Sequence, residues 1–116
     1  MYELYKVCNF ESAHKLEGHP KCGKLHGHSY KVEVWIESKE LNGRWKLVAD
    51  FGLIKEIINR YDHSDKIITI SCEELAREIY DKIENELMEL EANWEDMRVR
   101  VWETPSSWAE YTITIE

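Results

Sequence analysis

Apolar and polar side chains alternate in two stretches near the amino terminus. From Tyr2 to Phe10 aromatic and β-branched residues are frequent, and from Ser29 to Glu37 (SYKVEVWIE) Tyr30, Val32, Val34 and Ile36 share one face. Both patterns predict strands, because successive strand side chains point to opposite faces. The two are expected to pair across a long excursion. Asn42-Gly43 predicts a turn, with a short extension of the second strand over Arg44 to Val48. The period then lengthens: Asp50 is an N-cap, and Ile54, Ile57, Ile58 and Tyr61 predict a first helix over Phe51 to Tyr61. Ser71 with Glu74 three residues later is a capping box, and Leu75, Ile79, Ile83 and Leu87 trace one stripe of a second helix ending near Leu90. Alternation returns in Met97, Val99 and Val101, and again in Ala109, Tyr111, Ile113 and Ile115. The order β-β-α-α-β-β predicts an α+β fold, a four-stranded antiparallel sheet with two helices on one face.

No repeat, linker or low-complexity tract interrupts the 116 residues, so 1–116 read as a single domain. A formal net charge of -8 argues against binding a nucleic-acid backbone, which needs clustered Lys and Arg. No segment approaches the roughly 20 apolar residues of a membrane span, and Met1 to Val7 lacks the layout of a secretory signal. A cytoplasmic protein is expected, and its odd count of cysteines, Cys8, Cys22 and Cys72, reads as free thiols.

The chemistry gathers around His26-Gly27-His28. At the entry to a strand, residues two apart project to the same face, in line with Tyr30 and Val32. Two such imidazoles can share a metal, with His14 a natural third ligand if the strands pair; alone, the tripeptide is equally well a polar turn. Cys22 is within reach of such a metal, either as a reactive thiol, as the fourth ligand of a closed structural site, or as a small buried side chain. Asp62-His63 follows the first helix, where a histidine complements the helix dipole. Glu103 continues the apolar face of Met97, Val99 and Val101. Turned inward, it accepts two parallel N–H donors from an amidine-like ring edge; at a strand end, it simply meets water.

Taken in order, FESAH (Phe10 to His14), CGKLHGHSY (Cys22 to Tyr30), ADF (Ala49 to Phe51), YDH (Tyr61 to His63) and WETPSSWAEY (Trp102 to Tyr111) resemble the 6-pyruvoyl-tetrahydropterin synthase and 6-carboxytetrahydropterin synthase family. The resemblance spans nearly the whole chain. It implies a T-fold with Zn2+ at His14, His26 and His28, Cys22 as catalytic base, and Asp62 and His63 as its proton-handling partners. It also implies Glu103, with Thr104 beside it, as the anchor of a small-molecule pterin. Ser71 and Cys72 resemble a segment that faces the pterin from an adjacent subunit, and the family habit is a homo-oligomer, a hexamer built as a dimer of trimers. The compact CGKLHGHSY block looks more like the 7-deazaguanine-pathway enzymes, which make 6-carboxy-5,6,7,8-tetrahydropterin from 7,8-dihydroneopterin triphosphate, than like the 6-pyruvoyl branch. Tyr61 departs from the family's leucine at that position, and the connection between the helices is shorter than usual.

Overall fold

The computed structural model describes residues 1–113. The elements run β1 (Tyr2–His14), β2 (His26–Ser38), α1 (Phe51–Asn59), α2 (Cys72–Glu89), β3 (Asp96–Thr104) and β4 (Ser107–Thr112). The four strands form one antiparallel sheet in the order β1-β2-β3-β4. Leu4, Cys8 and Phe10 of β1, Tyr30 to Ile36 at alternate positions of β2, and Met97, Val99 and Val101 of β3 are buried. They pack with Ile54, Ile57 and Ile58 of α1 and with the Leu75, Ile79, Ile83 and Leu87 stripe of α2 in one core. Burying one face of a sheet against two amphipathic helices is what the strand and helix periods dictate.

Both helix starts follow from capping chemistry. The Asp50 carboxylate accepts from the Gly52 N–H at 2.7 Å, and the Ser71 hydroxyl accepts from the Glu74 N–H at 3.1 Å, so orphan donors of each first turn are satisfied.

Several predicted boundaries move. β1 continues four residues past Phe10, because Ser12 pairs with His28 and His14 with His26 across the sheet. β2 likewise starts at His26 rather than Ser29. Arg44 to Val48 is not a strand extension. Gly43 and Lys46 both adopt left-handed backbone, φ 69° and 57°, and curl the segment so that only an isolated Asn42–Leu47 bridge forms. α1 ends at Asn59 with Arg60 as C-cap, which leaves Tyr61 outside the helix and packed on Phe10, ring centroids 5.4 Å apart. Ile113 lies beyond β4 and is exposed, and Ile115 lies outside the described residues.

Candidate metal and active site

At one end of the sheet the core-facing stripes run out of apolar residues and become polar. On β1 the buried positions Phe10, Ser12 and His14 lie opposite Tyr30, His28 and His26 of β2. On β3 the stripe Met97, Val99, Val101 continues into Glu103. A β-bulge falls there: Trp102 pairs with Trp108 and Thr104 with Ser107, so Glu103 is the extra residue. Bulges re-aim side chains, and this one delivers the carboxylate to the histidines. Glu103 Oε1 lies 3.4 Å from His14 Nδ1 and 3.3 Å from His28 Nε2.

The tautomers can be read from hydrogen bonds. His14 Nε2 is 3.1 Å from the Ile70 carbonyl and His26 Nδ1 is 2.7 Å from the Lys24 carbonyl. A carbonyl oxygen only accepts, so each of those nitrogens carries the hydrogen and, in the neutral ring, the other nitrogen carries a lone pair. Those other nitrogens, His14 Nδ1 and His26 Nε2, face each other at 3.3 Å. Two lone pairs so placed repel unless a cation lies between them. His28 Nε2 is buried and has no hydrogen-bond partner, since Glu103 is close but poorly aligned with it. Burial pushes the His28 pKa below its ordinary value against the opposing pull of Glu103, which favours the neutral, ligating form.

This arrangement is capable of holding a metal ion. Donor atoms about 2.0–2.1 Å from a tetrahedral zinc stand about 3.3–3.4 Å apart, and the His14–His26, His14–Glu103 and His28–Glu103 separations have those values. Among the described residues, His14, His26, His28 and Glu103 make one metal-capable group, with all four donor atoms within 4.8 Å of one another. Cys22 is not a member of it, so the closed site with a cysteine ligand lacks geometric support. The carbonyls of Ile70 and Lys24 act as outer partners that fix ring orientation.

Cys22 sits in the β1–β2 loop, which is clasped onto itself. The His19 ring accepts from the backbone N–H groups of Lys21 and Cys22 at 3.1 and 2.9 Å, and Leu16 N–H donates to the Cys22 carbonyl. At Gly23 a Cβ would meet the His19 carbonyl oxygen at 2.5 Å, so only glycine closes this loop. The Tyr30 hydroxyl pKa is pushed up by burial first, then by the charges of Glu103, Cys72 and Cys22, and the Tyr30 ring packs edge-on against His28 at 5.6 Å between centroids.

Asp62 and His63 dock on β1. The Glu11 N–H donates to Asp62 Oδ1 at 2.9 Å, and the His63 N–H donates to the Glu11 carbonyl at 2.7 Å. His63, with φ 49°, holds Nδ1 3.0 Å from Asp62 Oδ1 and Nε2 3.7 Å from Glu11 Oε2. The Glu11 backbone bond, then the His63 ring, holds the Asp62 carboxyl below its ordinary pKa. A cleft of about 440 Å³ brings Glu11, Ser12, His63 and His28 to a common space, and a second of about 420 Å³ joins His28 to Lys31, Trp102, Glu103 and Thr104.

Ser71 and Cys72 are occupied within this chain. Ser71 caps α2, and the Cys72 thiol donates to the Val101 carbonyl at 3.2 Å. Burial first, then Glu103, pushes that thiol up to about 11, and burial also raises the Cys8 thiol. Glu11 and His19 carry no mark of their roles in the sequence, because those roles depend on partners distant along the chain or on loop geometry. Thr104 shares the hairpin turn with Ser106, which donates its N–H to the Thr104 hydroxyl at 3.3 Å.

A β-β-α-α-β-β sheet with a histidine centre at its open end defines a T-fold protein with a metal-capable site. The profile of the 6-pyruvoyl tetrahydropterin synthase family matches residues 3–114, and the chain belongs to that family. The 6-carboxy-5,6,7,8-tetrahydropterin synthase of Bacillus subtilis is 30% identical over 124 residues, covering 95% of this chain and 84% of its own. An Archaeoglobus fulgidus protein provisionally given the same name is 39% identical over 110 residues, 88% of each chain. Among solved structures, the Caenorhabditis elegans 6-pyruvoyl tetrahydropterin synthase superposes with a TM-score of 0.72 at 20% identity, covering 97% of this chain and 96% of that one.

Proposed function

We propose that the protein is a zinc-dependent lyase that converts 7,8-dihydroneopterin triphosphate and water into 6-carboxy-5,6,7,8-tetrahydropterin, acetaldehyde and triphosphate. The observation that carries this reading is the facing pair of imidazole lone pairs beside the orphaned His28 nitrogen, in a chain of the pterin synthase family. Relatives named for the 6-carboxy product favour that branch over triphosphate elimination to a 6-pyruvoyl product.

His14, His26 and His28 would hold the ion. When bound, zinc supplies Lewis acidity to the hydroxyls of the pterin side chain. Cys22 Sγ takes the carbon-bound proton as a thiolate, from a loop that His19 keeps closed. His63, oriented through Nδ1 by Asp62, hands protons to and from the side-chain oxygens through Nε2. Glu103 accepts the amino and ring N–H groups of the pterin, with Thr104 beside it. The outer edges of the sheet, β4 and the part of β1 before Glu11, suit sheet-to-sheet assembly into a hexamer that works in the cytoplasm. In that assembly Ser71 and Cys72 would face a neighbour's pterin. No helix among the described residues is long and apolar enough to cross a membrane.

The test is triphosphate release from dihydroneopterin triphosphate by zinc-loaded and chelator-stripped protein. Release with metal, absent without it and restored by zinc, is expected. Equal release from both preparations contradicts metal dependence.

A further inference from the structure

His63 meets a carboxylate on each side. Nδ1 lies 3.0 Å from Asp62 Oδ1, and Nε2, the nitrogen assigned to proton exchange with substrate, lies 3.7 Å from Glu11 Oε2. The Ser29 hydroxyl, directly across the β1–β2 pair from Glu11, donates to the other oxygen, Oε1, at 3.1 Å and leaves Oε2 for the ring. The main chain of Glu11 grips the same dipeptide twice: its N–H donates to Asp62 Oδ1 at 2.9 Å, and its carbonyl accepts the His63 N–H at 2.7 Å. His63 has left-handed backbone, φ 49°, which a residue other than glycine keeps only where its surroundings over-determine it. One residue therefore supplies both the clamp on the backbone of His63 and a negative charge facing its ring.

We propose that Glu11 is a positioning residue for the reaction: it fixes His63 at the cleft, and its carboxylate stabilises the ring whenever Nε2 takes up a proton. This rests on the proton-handling reading of His63. A separation of 3.7 Å is too long for a hydrogen bond and short enough for an ion pair. Nε2 is thus free to exchange a proton with an oxygen entering the cleft of about 440 Å³ that Glu11, Ser29 and His63 line together. The proton passes from a substrate hydroxyl to the Nε2 lone pair and returns by the reverse step, so the exchange needs no further reactant. With Nδ1–H already directed at Asp62, the protonated ring is a cation between two anions. Both partners are more than half exposed, 73% for His63 and 63% for Glu11, so their attraction is weak in open solvent and strengthens as substrate displaces water from the cleft. Because the gain exists only while the ring is charged, it belongs to kcat rather than to KM.

The experiment compares zinc-loaded wild type, Glu11→Gln, Glu11→Asp, and the Glu11→Gln change repeated in a His63→Asn protein, each verified as folded by its thermal melt. Glu11→Gln keeps both main-chain hydrogen bonds and the shape of the side chain. It should lower kcat about two- to fivefold with KM within about twofold of wild type, and Glu11→Asp should recover part of the loss. In the His63→Asn background Glu11→Gln should cost nothing more, because the carboxylate then has no ring to act on. The side-chain nitrogen resonances of His63, read by NMR without substrate, should move in Glu11→Gln. Equal kcat in wild type and Glu11→Gln, or the same fold-loss with and without His63, overturns the proposal and leaves the lyase reading standing. Resonances that stay in place overturn the pairing of Glu11 with the ring whether or not the protein turns over. Wild type without turnover overturns the lyase reading and the role of Glu11 with it.

Discussion

Replacing His26 with alanine separates the metal from the fold more cleanly than any other change at the site. His14 is 1% exposed and tied to the Ile70 carbonyl, so its loss also leaves a hole and an unmade hydrogen bond inside the molecule. His26 is the first residue of β2, half-buried, and packs edge-on against His14 and His28 at 5.1 and 4.5 Å between centroids. Its removal touches none of the core. A structural four-donor zinc site is worth about 10–16 kcal/mol, or about 2.5–4 kcal/mol per donor if shared evenly, and each of the three histidines is taken at that value. His26→Ala should therefore weaken zinc binding by roughly 10²- to 10³-fold. The metal-free melting temperature should stay near that of wild type, since a half-exposed position away from the core shifts stability by about 0.5 kcal/mol or less. Zinc added to wild type should raise the melting temperature by mass action, and added to the variant at the same concentration should do so far less. Chelator competition and paired melts with and without zinc supply both numbers. Equal zinc affinity in the two proteins refutes the metal assignment, and a large loss of metal-free stability refutes the claim that His26 serves the metal rather than the fold.

Three further outcomes follow from the same geometry. Cys22→Ala should keep zinc and pterin binding and lose turnover by about two to four orders of magnitude, because the proton acceptor goes and the binding groups stay; near-normal turnover removes Cys22 from the chemistry. Gly23→Ala drives a Cβ to 2.5 Å from the His19 carbonyl, a backbone atom that cannot swing away, so turnover should fall while zinc content holds; full activity would show that the loop's closure is unnecessary. Asp62 has its folded pKa depressed, so its contribution to stability is complete above the ordinary carboxylate value near 3.9 and is lost as pH falls through the lower folded value. Asp62→Asn should flatten the acid limb of a urea-stability profile below about pH 4, and an unchanged limb contradicts the assignment.

The sheet face was readable where the period of two was unbroken. His26 and His28 fell in line with Tyr30 and Val32, and Glu103 with Val101, from alternation alone. The β1 extension was not readable, because Glu11, Ser12 and His14 are polar. Their extended backbone is held by a segment some 50 residues away: Ile68 N–H donates to the Ala13 carbonyl and Lys15 N–H to the Ile68 carbonyl. The same segment supplies the Ile70 carbonyl that sets the His14 tautomer. The bulge at Glu103 is a register event between β3 and β4 with no sequence mark of its own. Asn42-Gly43 shows the converse, correct turn chemistry followed by a wrong strand, because the left-handed Lys46 carries no signal comparable to glycine.

The most direct measurement is mass spectrometry of the products formed when zinc-loaded protein meets 7,8-dihydroneopterin triphosphate. The account predicts 6-carboxy-5,6,7,8-tetrahydropterin with acetaldehyde and triphosphate in equal amounts, abolished by Cys22→Ala under saturating zinc. Unchanged substrate, or a 6-pyruvoyl product without acetaldehyde, would contradict it.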